Sequence, residues 1–335
     1  MIDLLSQTPE ELTELFKEWG QPAYRAGQVF KALHSGVPDA ASMTTLPLKL
    51  REKLDFPRPR VKTEQLSADG TRKLLYELSD GETVESVLLD YGGETTVCLS
   101  SQVGCRMGCA FCASTTGGKV RDLTAGEMLG QILYCGRHVS RAVMMGIGEP
   151  LDNLDNTARF LRLLSRPEGR GMSLRHVSLS TCGLAPEILK LADMGLPVTL
   201  SVSLHAPDDD TRNYLMPINR RFSLQELLTS CRMYFEKTRR RNSFEYILIK
   251  GINDSPAQAG DLAALLKGQD AHVNLIFFNP VKGKDFLPSS RETAERFAQT
   301  LASRGVGVTV RRRLGADIDA ACGQLRRRTA ETKAR

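Results

Sequence analysis

The chain has 335 residues, 41% of them hydrophobic and 25% charged, which is ordinary globular composition and a length suited to one large domain or two unequal ones. Eight cysteines in that length are too dilute for a small disulfide scaffold, and no uninterrupted apolar stretch approaches the ~20 residues of a membrane span. No apolar signal-peptide core follows Met1, so a cytoplasmic location without membrane contact is expected, and the net charge of +6 leaves a nucleic-acid partner open.

Residues 1–57 read as a helical unit. Thr8-Pro9-Glu10-Glu11 is a capping box with proline at the first helical position; Leu12, Leu15, Phe16 and Trp19 follow at helical spacing, and Gly20 stops the helix. A second helix is expected over 25–33, ending at Gly36, and a short third one near 48–54. Trp19 and Tyr24 are candidates for stacking on bases, although a single tryptophan on an apolar helix face more often packs into a core. Phe56-Pro57-Arg58-Pro59-Arg60 is a stiff break. Residues 58–97 then form a β-rich lead-in, with strands near 61–66, 73–78, 84–89 and 95–100 separated by turns at Gly70, Asp80-Gly81 and Gly92-Gly93.

From residue 98 to 325 the pattern changes to strand–helix alternation. Strands are expected at 142–145, 176–180, 198–204, 244–249, 273–277 and 306–310. Helices lie between them, two of them opened by the capping boxes Thr124-x-x-Glu127 and Ser223-x-x-Glu226. Repeated units of this kind predict an α/β fold with a parallel sheet or barrel, and about six are visible, fewer than the eight of a closed barrel. Residues 326–335 are expected to be a basic mobile tail. Basic residues cluster at Lys237 with Arg239–Arg241, at Arg311–Arg313 and at Arg326–Arg328; such runs are usually solvated faces, and they gain weight only beside an RNA-directed chemistry.

The chemistry starts in GCRMGCAFCAST, where Cys105, Cys109 and Cys112 stand at C-x3-C-x2-C spacing. A structural zinc site wants four protein ligands, so a zinc-bearing RNA-binding module would need His138, His176 or another cysteine to join. A [4Fe-4S] cluster has four irons, and three cysteines leave one open to a substrate. Just after predicted strands lie Gly146-Ile147-Gly148-Glu149-Pro150, Ser180-Thr181, Ser203-Leu204-His205 and Asn279-Pro280. In an α/β barrel these strand ends converge on one face, where such folds keep their active sites. No Ser-His-Asp arrangement and no Walker-type phosphate loop is present.

Taken together these residues resemble the radical S-adenosylmethionine superfamily and, more narrowly, its RlmN/Cfr family of RNA adenine methyltransferases. The segments that carry the resemblance are VESVLLDYGGETTVCLSSQVGCRMGCAFCAST, MGIGEPLDN, SLHAPDDDTRNYLMPIN, FEYILIKGINDS, HVNLIFFNP and GADIDAACGQL. The resemblance implies a partial (β/α)6 barrel with an N-terminal helical accessory domain. It also implies a [4Fe-4S] cluster on Cys105, Cys109 and Cys112, with S-adenosylmethionine on the open iron. Gly148 and Glu149 match the loop that holds the methionyl amine, and Ser180, Ser203, Leu204, His205 and Asn279 match positions contacting the rest of the cofactor.

Adenine C2 is electrophilic and offers no lone pair to a methyl donor, so direct polar transfer from the sulfonium is implausible. The resemblance implies a route in which Cys322 is methylated by one cofactor molecule and a radical from a second activates that methyl group. The carbon radical then adds to the base. Cys98 matches the cysteine that releases the resulting protein–RNA adduct through a transient disulfide, and Glu85 matches the acceptor of the adduct's proton. The implied partners are 23S rRNA, methylated at adenosine 2503, and tRNAs, at adenosine 37, with flavodoxin or ferredoxin as electron donor and no stable protein partner. The Cfr branch would methylate C8 instead; GEPLDN favours C2. Plainer roles compete with these. Cys98 in TTVCLS reads as a small buried hydrophobe, Glu85 as the polar face of a strand, His205 as a loop cap, and Cys135, Cys182 and Cys231 as packing.

Overall fold

The computed structural model describes residues 2–54, 56, 58–281, 283–315, 317–318 and 325–326; Cys322 lies outside them. The chain opens with helices α1 (Pro9–Glu18), α2 (Tyr24–His34) and α3 (Leu48–Arg51). The first capping box forms as expected: Thr8 Oγ1 accepts the Glu11 N–H, and the Glu11 carboxylate accepts the Thr8 N–H at 2.8 Å. Such a cap contributes about 1 kcal/mol. Leu12 and Phe16 of α1 and Val29, Phe30 and Leu33 of α2 are buried in the same continuous core as the helices that follow. Trp19 packs on Phe16, with ring centroids 5.3 Å apart, whereas Tyr24 is exposed.

Strands β1 (Arg60–Leu66), β2 (Arg72–Glu77), β3 (Thr83–Tyr91) and β4 (Glu94–Cys98) form an antiparallel meander. A hairpin of β5 (Gln102–Gly104) and β6 (Lys119–Asp122), which the sequence pattern did not announce, brackets the cysteine loop. There follow α4 (Ala125–Leu133), β7 (Arg141–Met144), α5 (Leu154–Ser165), β8 (Val177–Thr181), α6 (Ala185–Asp193) and β9 (Thr199–Ser203). The chain continues with α7 (Asp209–Leu215), α8 (Leu224–Thr238), β10 (Asn242–Leu248), α9 (Pro256–Leu265), β11 (Ala271–Phe277), α10 (Arg291–Ser303) and β12 (Gly307–Val310). The capping boxes at Thr124 and Ser223 form, and another at Ser255 opens α9. Helix α7 lies in the segment DDDTRNYL, where short length hides any helical period; its cap is Asp208, whose carboxylate accepts the Thr211 N–H at 2.7 Å.

Ten strands form one sheet in the order β1-β2-β3-β4-β7-β8-β9-β10-β11-β12, antiparallel as far as β4 and parallel from β4 onward. This is the expected α/β arrangement of parallel strands joined by helices, with the lead-in meander as a continuation of the parallel sheet. Residues opposed across strands share a face, so the register separates two surfaces. Leu74, Tyr76, Val84, Leu88, Val97, Leu179, Leu200, Phe244 and Tyr246 face the helices and build the core. On the other face, Lys73 opposes Val87, Val87 opposes Cys98, Cys98 opposes Val143 and Val143 opposes Ser178. Farther along that face, Ser180 opposes Ser201, Ser203 opposes Glu245 and Glu245 opposes Asn274. This concave surface is lined by small hydroxyl side chains and a few charged ones, which leave room for a polar ligand. Among the described residues no helix is long and apolar enough to cross a membrane.

Candidate active site

A cavity of about 380 Å³ opens at the C-terminal ends of the parallel strands, a size that suits a nucleoside-scale ligand. Its wall includes Cys105, Cys109, Cys112, Gly148, Glu149, Ser180, Ser203, His205 and Asn279, so nearly every sequence-predicted cofactor residue converges there. Leu204 is the exception, because its side chain is fully buried in the core. Its N–H donates to the Glu245 carbonyl at 3.0 Å, and its carbonyl accepts from Arg212 Nε at 3.1 Å.

The cysteine loop is hung on backbone hydrogen bonds from both sides. Cys105 N–H donates to the Gly118 carbonyl at 3.0 Å and Ala110 N–H to the Leu215 carbonyl at 2.8 Å. Gly104 has φ +79°, and a Cβ there would lie 2.0 Å from the Gly118 carbonyl oxygen, so only glycine lets the hairpin close beneath the loop. Cys105 is buried and the other two cysteines are half-buried. Burial pushes the Cys105 thiol up to about 12 and Cys109 higher still, so binding iron, which takes thiolates, must expel protons. No three cysteine, histidine or carboxylate groups among the described residues close round a single ion. Three cysteines along one cavity wall fit a multi-iron cluster, which takes one thiolate per iron.

Beside that loop stands Glu149, 3% exposed at the start of a short 3-10 turn. Its Oε2 accepts the Cys182 N–H at 2.7 Å and its Oε1 accepts the Leu151 N–H at 3.1 Å. Burial raises its pKa and the two N–H donors oppose that, leaving a carboxyl suited to a cationic partner in the cavity. Gln102, Lys119 and Asp152, which the sequence reading did not single out, tie the parts together. Gln102 Nε2 donates to Asp152 at 2.9 Å, Lys119 pairs with it at 3.1 Å, and Arg106 of the cysteine loop pairs with it too. Cys182, expected only to pack, is buried but lies in the cavity wall; Cys135 and Cys231 are buried as expected.

His205 takes a left-handed backbone (φ +59°), rare for a residue with a side chain. The Ile247 N–H donates to its Nδ1 at 3.0 Å, so the neutral ring carries its proton on Nε2. Burial, helped by the Arg212 charge, pushes its pKa down to about 3 and keeps the ring neutral. Its edge meets Phe111 of the cysteine loop at 5.0 Å between centroids. Arg212, another residue with no signal in the pattern, is fully buried and joins the strand ends. It donates to the carbonyls of Cys182 (2.7 Å), Ser203 (3.1 Å) and Leu204 (3.1 Å) and to Asn219 (2.8 Å). Glu245 lines the cavity floor, where its Oε1 accepts from Asn274 at 2.9 Å and Ser201 at 3.2 Å.

Glu85 and Cys98 do not line the cavity, yet both are buried on the same concave face. Lys73 Nζ lies 2.9 Å from Glu85 Oε2, and the Arg326 backbone N–H donates to Glu85 Oε1. Arg326, expected to begin a mobile tail, is therefore docked; its guanidinium pairs with Glu82 at 3.3 Å, and Leu325 is buried. Gly315 N–H donates to Asp69 at 2.7 Å and Ala68 N–H donates to Asp317 at 2.9 Å, so the lead-in meander holds the chain on both sides of residues 319–324. The basic runs are partly spent on internal partners. Arg313 donates to the Phe278 carbonyl at 3.3 Å, Arg240 donates to Thr199 at 3.1 Å and Lys237 pairs with Asp193, while Arg239, Arg241 and Arg312 are exposed.

Residues 99–263 match the model of the radical SAM superfamily, and residues 2–56 that of the ribosomal RNA large subunit methyltransferase N-terminal domain. The chain is 45% identical to a probable dual-specificity RNA methyltransferase RlmN of Clostridium botulinum, over 99% of both chains. It is 48% identical to a protein of that name from Desulforamulus reducens, over 98% of this chain and 96% of the relative. The crystal structure of a radical SAM methyltransferase from Sphaerobacter thermophilus superposes with a TM-score of 0.93 at 44% identity, covering 97% of this chain and 99% of that one.

Proposed function

The chain belongs to the RlmN family of radical SAM RNA methyltransferases, with a [4Fe-4S] cluster and S-adenosylmethionine as cofactors, and from that premise we propose that it methylates C2 of adenosine in RNA through a methyl group carried on Cys322. The substrates are adenosine 2503 of 23S rRNA and adenosine 37 of tRNAs. The enzyme works in the cytoplasm with flavodoxin or ferredoxin as reductant. When bound, the cluster and its S-adenosylmethionine supply the radical that activates the methyl group.

The protein's own residues hold and finish the reaction. Cys105, Cys109 and Cys112 hold three irons. Glu149 accepts from the methionyl ammonium, and Gly148 beside it lets the loop pack closely on Ser101 and Gln102. The His205 Nε2–H, the Ser180 and Ser203 hydroxyls and the Asn279 amide orient the rest of the cofactor, and Leu204 acts through its backbone. Glu85 takes the proton that leaves the adduct, and the Cys98 thiolate attacks the Cys322 sulfur to free the methylated base.

The observation that carries this reading is the Glu85 carboxylate. It is buried on the cavity's own face of the sheet, shares that face with Cys98, and is hydrogen-bonded to the backbone of Arg326, four residues after Cys322. A carboxylate serving only as the polar side of a strand would face water. Exposed basic side chains and the N-terminal helices grip RNA phosphates by charge and shape, and the target base leaves its stack to reach the cavity. Mass spectrometry of modified nucleosides in rRNA and tRNA, from a deletion strain with and without the gene restored, tests the reading. 2-Methyladenosine should vanish and return in both RNAs; loss of an 8-methyl product instead, or no change, overturns it.

A further inference from the structure

We propose that Lys73 is the positioning residue of the proton-transfer step, holding Glu85 ionised and oriented until it accepts the proton from the adduct. The inference rests on the role of Glu85 proposed above. Lys73 Nζ stands 2.9 Å from Glu85 Oε2, and the two side chains are 0% and 3% exposed. Leu75 opposes Glu85 and Val87 opposes Lys73 on this face, so the pair sits beside apolar neighbours.

A buried ion pair is a poor device for stability alone. Desolvating two charges offsets most of their attraction, and well-packed apolar residues commonly serve as well or better. Methionine at 73 would fill similar space without that cost. The pair gains a purpose if Glu85 must be a base. A buried carboxylate without a cation takes up a proton from solvent and is then no base at all. The ammonium prevents this and fixes the carboxylate in place, with Lys73 engaging Oε2 and the Arg326 N–H engaging Oε1.

In the step itself the bond between hydrogen and the adenine carbon breaks. The proton goes to Glu85, which becomes a neutral acid, the bonding electron pair stays with the adduct, and Lys73 keeps all its protons. Lys73 on β2 pairs with Glu85 directly, and Cys98 on β4 shares its face of the sheet, opposite Val87. The Arg326 guanidinium is turned to Glu82.

The test uses the full-length, cluster-loaded enzyme with its RNA and follows methylated RNA per 5′-deoxyadenosine formed. E85Q should lower that ratio about a hundredfold, as expected for loss of a general base. K73M should lower it about tenfold or more, with 5′-deoxyadenosine still formed, because Glu85 is then no longer held in place. K73R should restore most of the loss. K73M added to E85Q should cost nothing further. Thermal melting and 5′-deoxyadenosine yield report whether each variant keeps its fold and its radical chemistry; the neutral K73M/E85Q pair carries the test if K73M alone folds poorly. K73M working at the wild-type ratio overturns the proposal, as does a loss that K73R does not restore or that adds fully to that of E85Q. E85Q working at the wild-type ratio overturns the role of Glu85 itself, whatever K73M does.

Discussion

Single atoms decide much of this site. At Gly148, φ is +110°, and a Cβ would lie 2.7 Å from the Gln102 backbone nitrogen and from Ser101 Oγ. Alanine there must strain the backbone or push the loop into the cavity, at about 1–3 kcal/mol. Gly148→Ala is therefore expected to weaken S-adenosylmethionine binding about tenfold or more, measured by equilibrium dialysis of the cluster-loaded protein, with little change in melting temperature. Cys98 makes the opposite kind of prediction, because its removal should stop the reaction late. Cys98→Ala is expected to accumulate a covalent protein–RNA species on denaturing gels, and free, normally methylated RNA would count against its releasing role. The cysteine triplet and GEP loop were legible in the sequence because their meaning is local, a fixed spacing of ligands and a glycine turn. Gln102, Asp152 and Arg212 were not, because each has a partner 30 or more residues away, such as Gln102 with Asp152 and Arg212 with Cys182.

Helix ends and periodicity were the readable features of the elements. Three capping boxes foreseen at Thr8, Thr124 and Ser223 all form, since a hydroxyl and a carboxylate three residues apart are nearly sufficient for the geometry. The β5–β6 hairpin and α7 were missed because strands of three and four residues and a seven-residue helix carry too little period to detect. Helix α2 yields a pH prediction. His34 is 4% exposed, stacks on Phe30 at 4.0 Å, and has no hydrogen-bond partner on either ring nitrogen. Burial pushes its pKa down to about 4. The unfolded chain binds a proton below about pH 6.5 that the folded chain refuses until about pH 4, so stability falls as pH drops through that window. The loss attributable to His34 reaches about 3 kcal/mol. Denaturant unfolding of wild type and His34→Leu at pH 7 and pH 4.5 should show the variant losing less on acidification; equal losses would show that His34 does not carry the effect.

At the scale of the whole molecule, the core does not depend on the cluster. The cysteine loop is tied by its own hydrogen bonds and packs on a small separate apolar cluster around Met216, Ile249 and Phe278, while the main core of the barrel and the N-terminal helices is continuous. Removing iron with a chelator under reducing conditions is expected to leave far-UV circular dichroism nearly unchanged. Faster hydrogen exchange should be confined to residues 105–118; global unfolding would contradict this.

The sequence by itself determined the cysteine triplet at its spacing, the strand–helix alternation, the cofactors and the family, because each is written in short-range spacing or in motifs that survive without knowledge of partners. Only the tertiary structure decided that Glu85 and Cys98 share the concave face, that Lys73 is paired with Glu85, and that Arg326 is docked rather than free. A strand's alternation says that two faces exist; which one meets the cavity is set by cross-strand register and by what covers each side. Those are long-range facts, and a buried charge can be told from an exposed one only after the chain has folded around it.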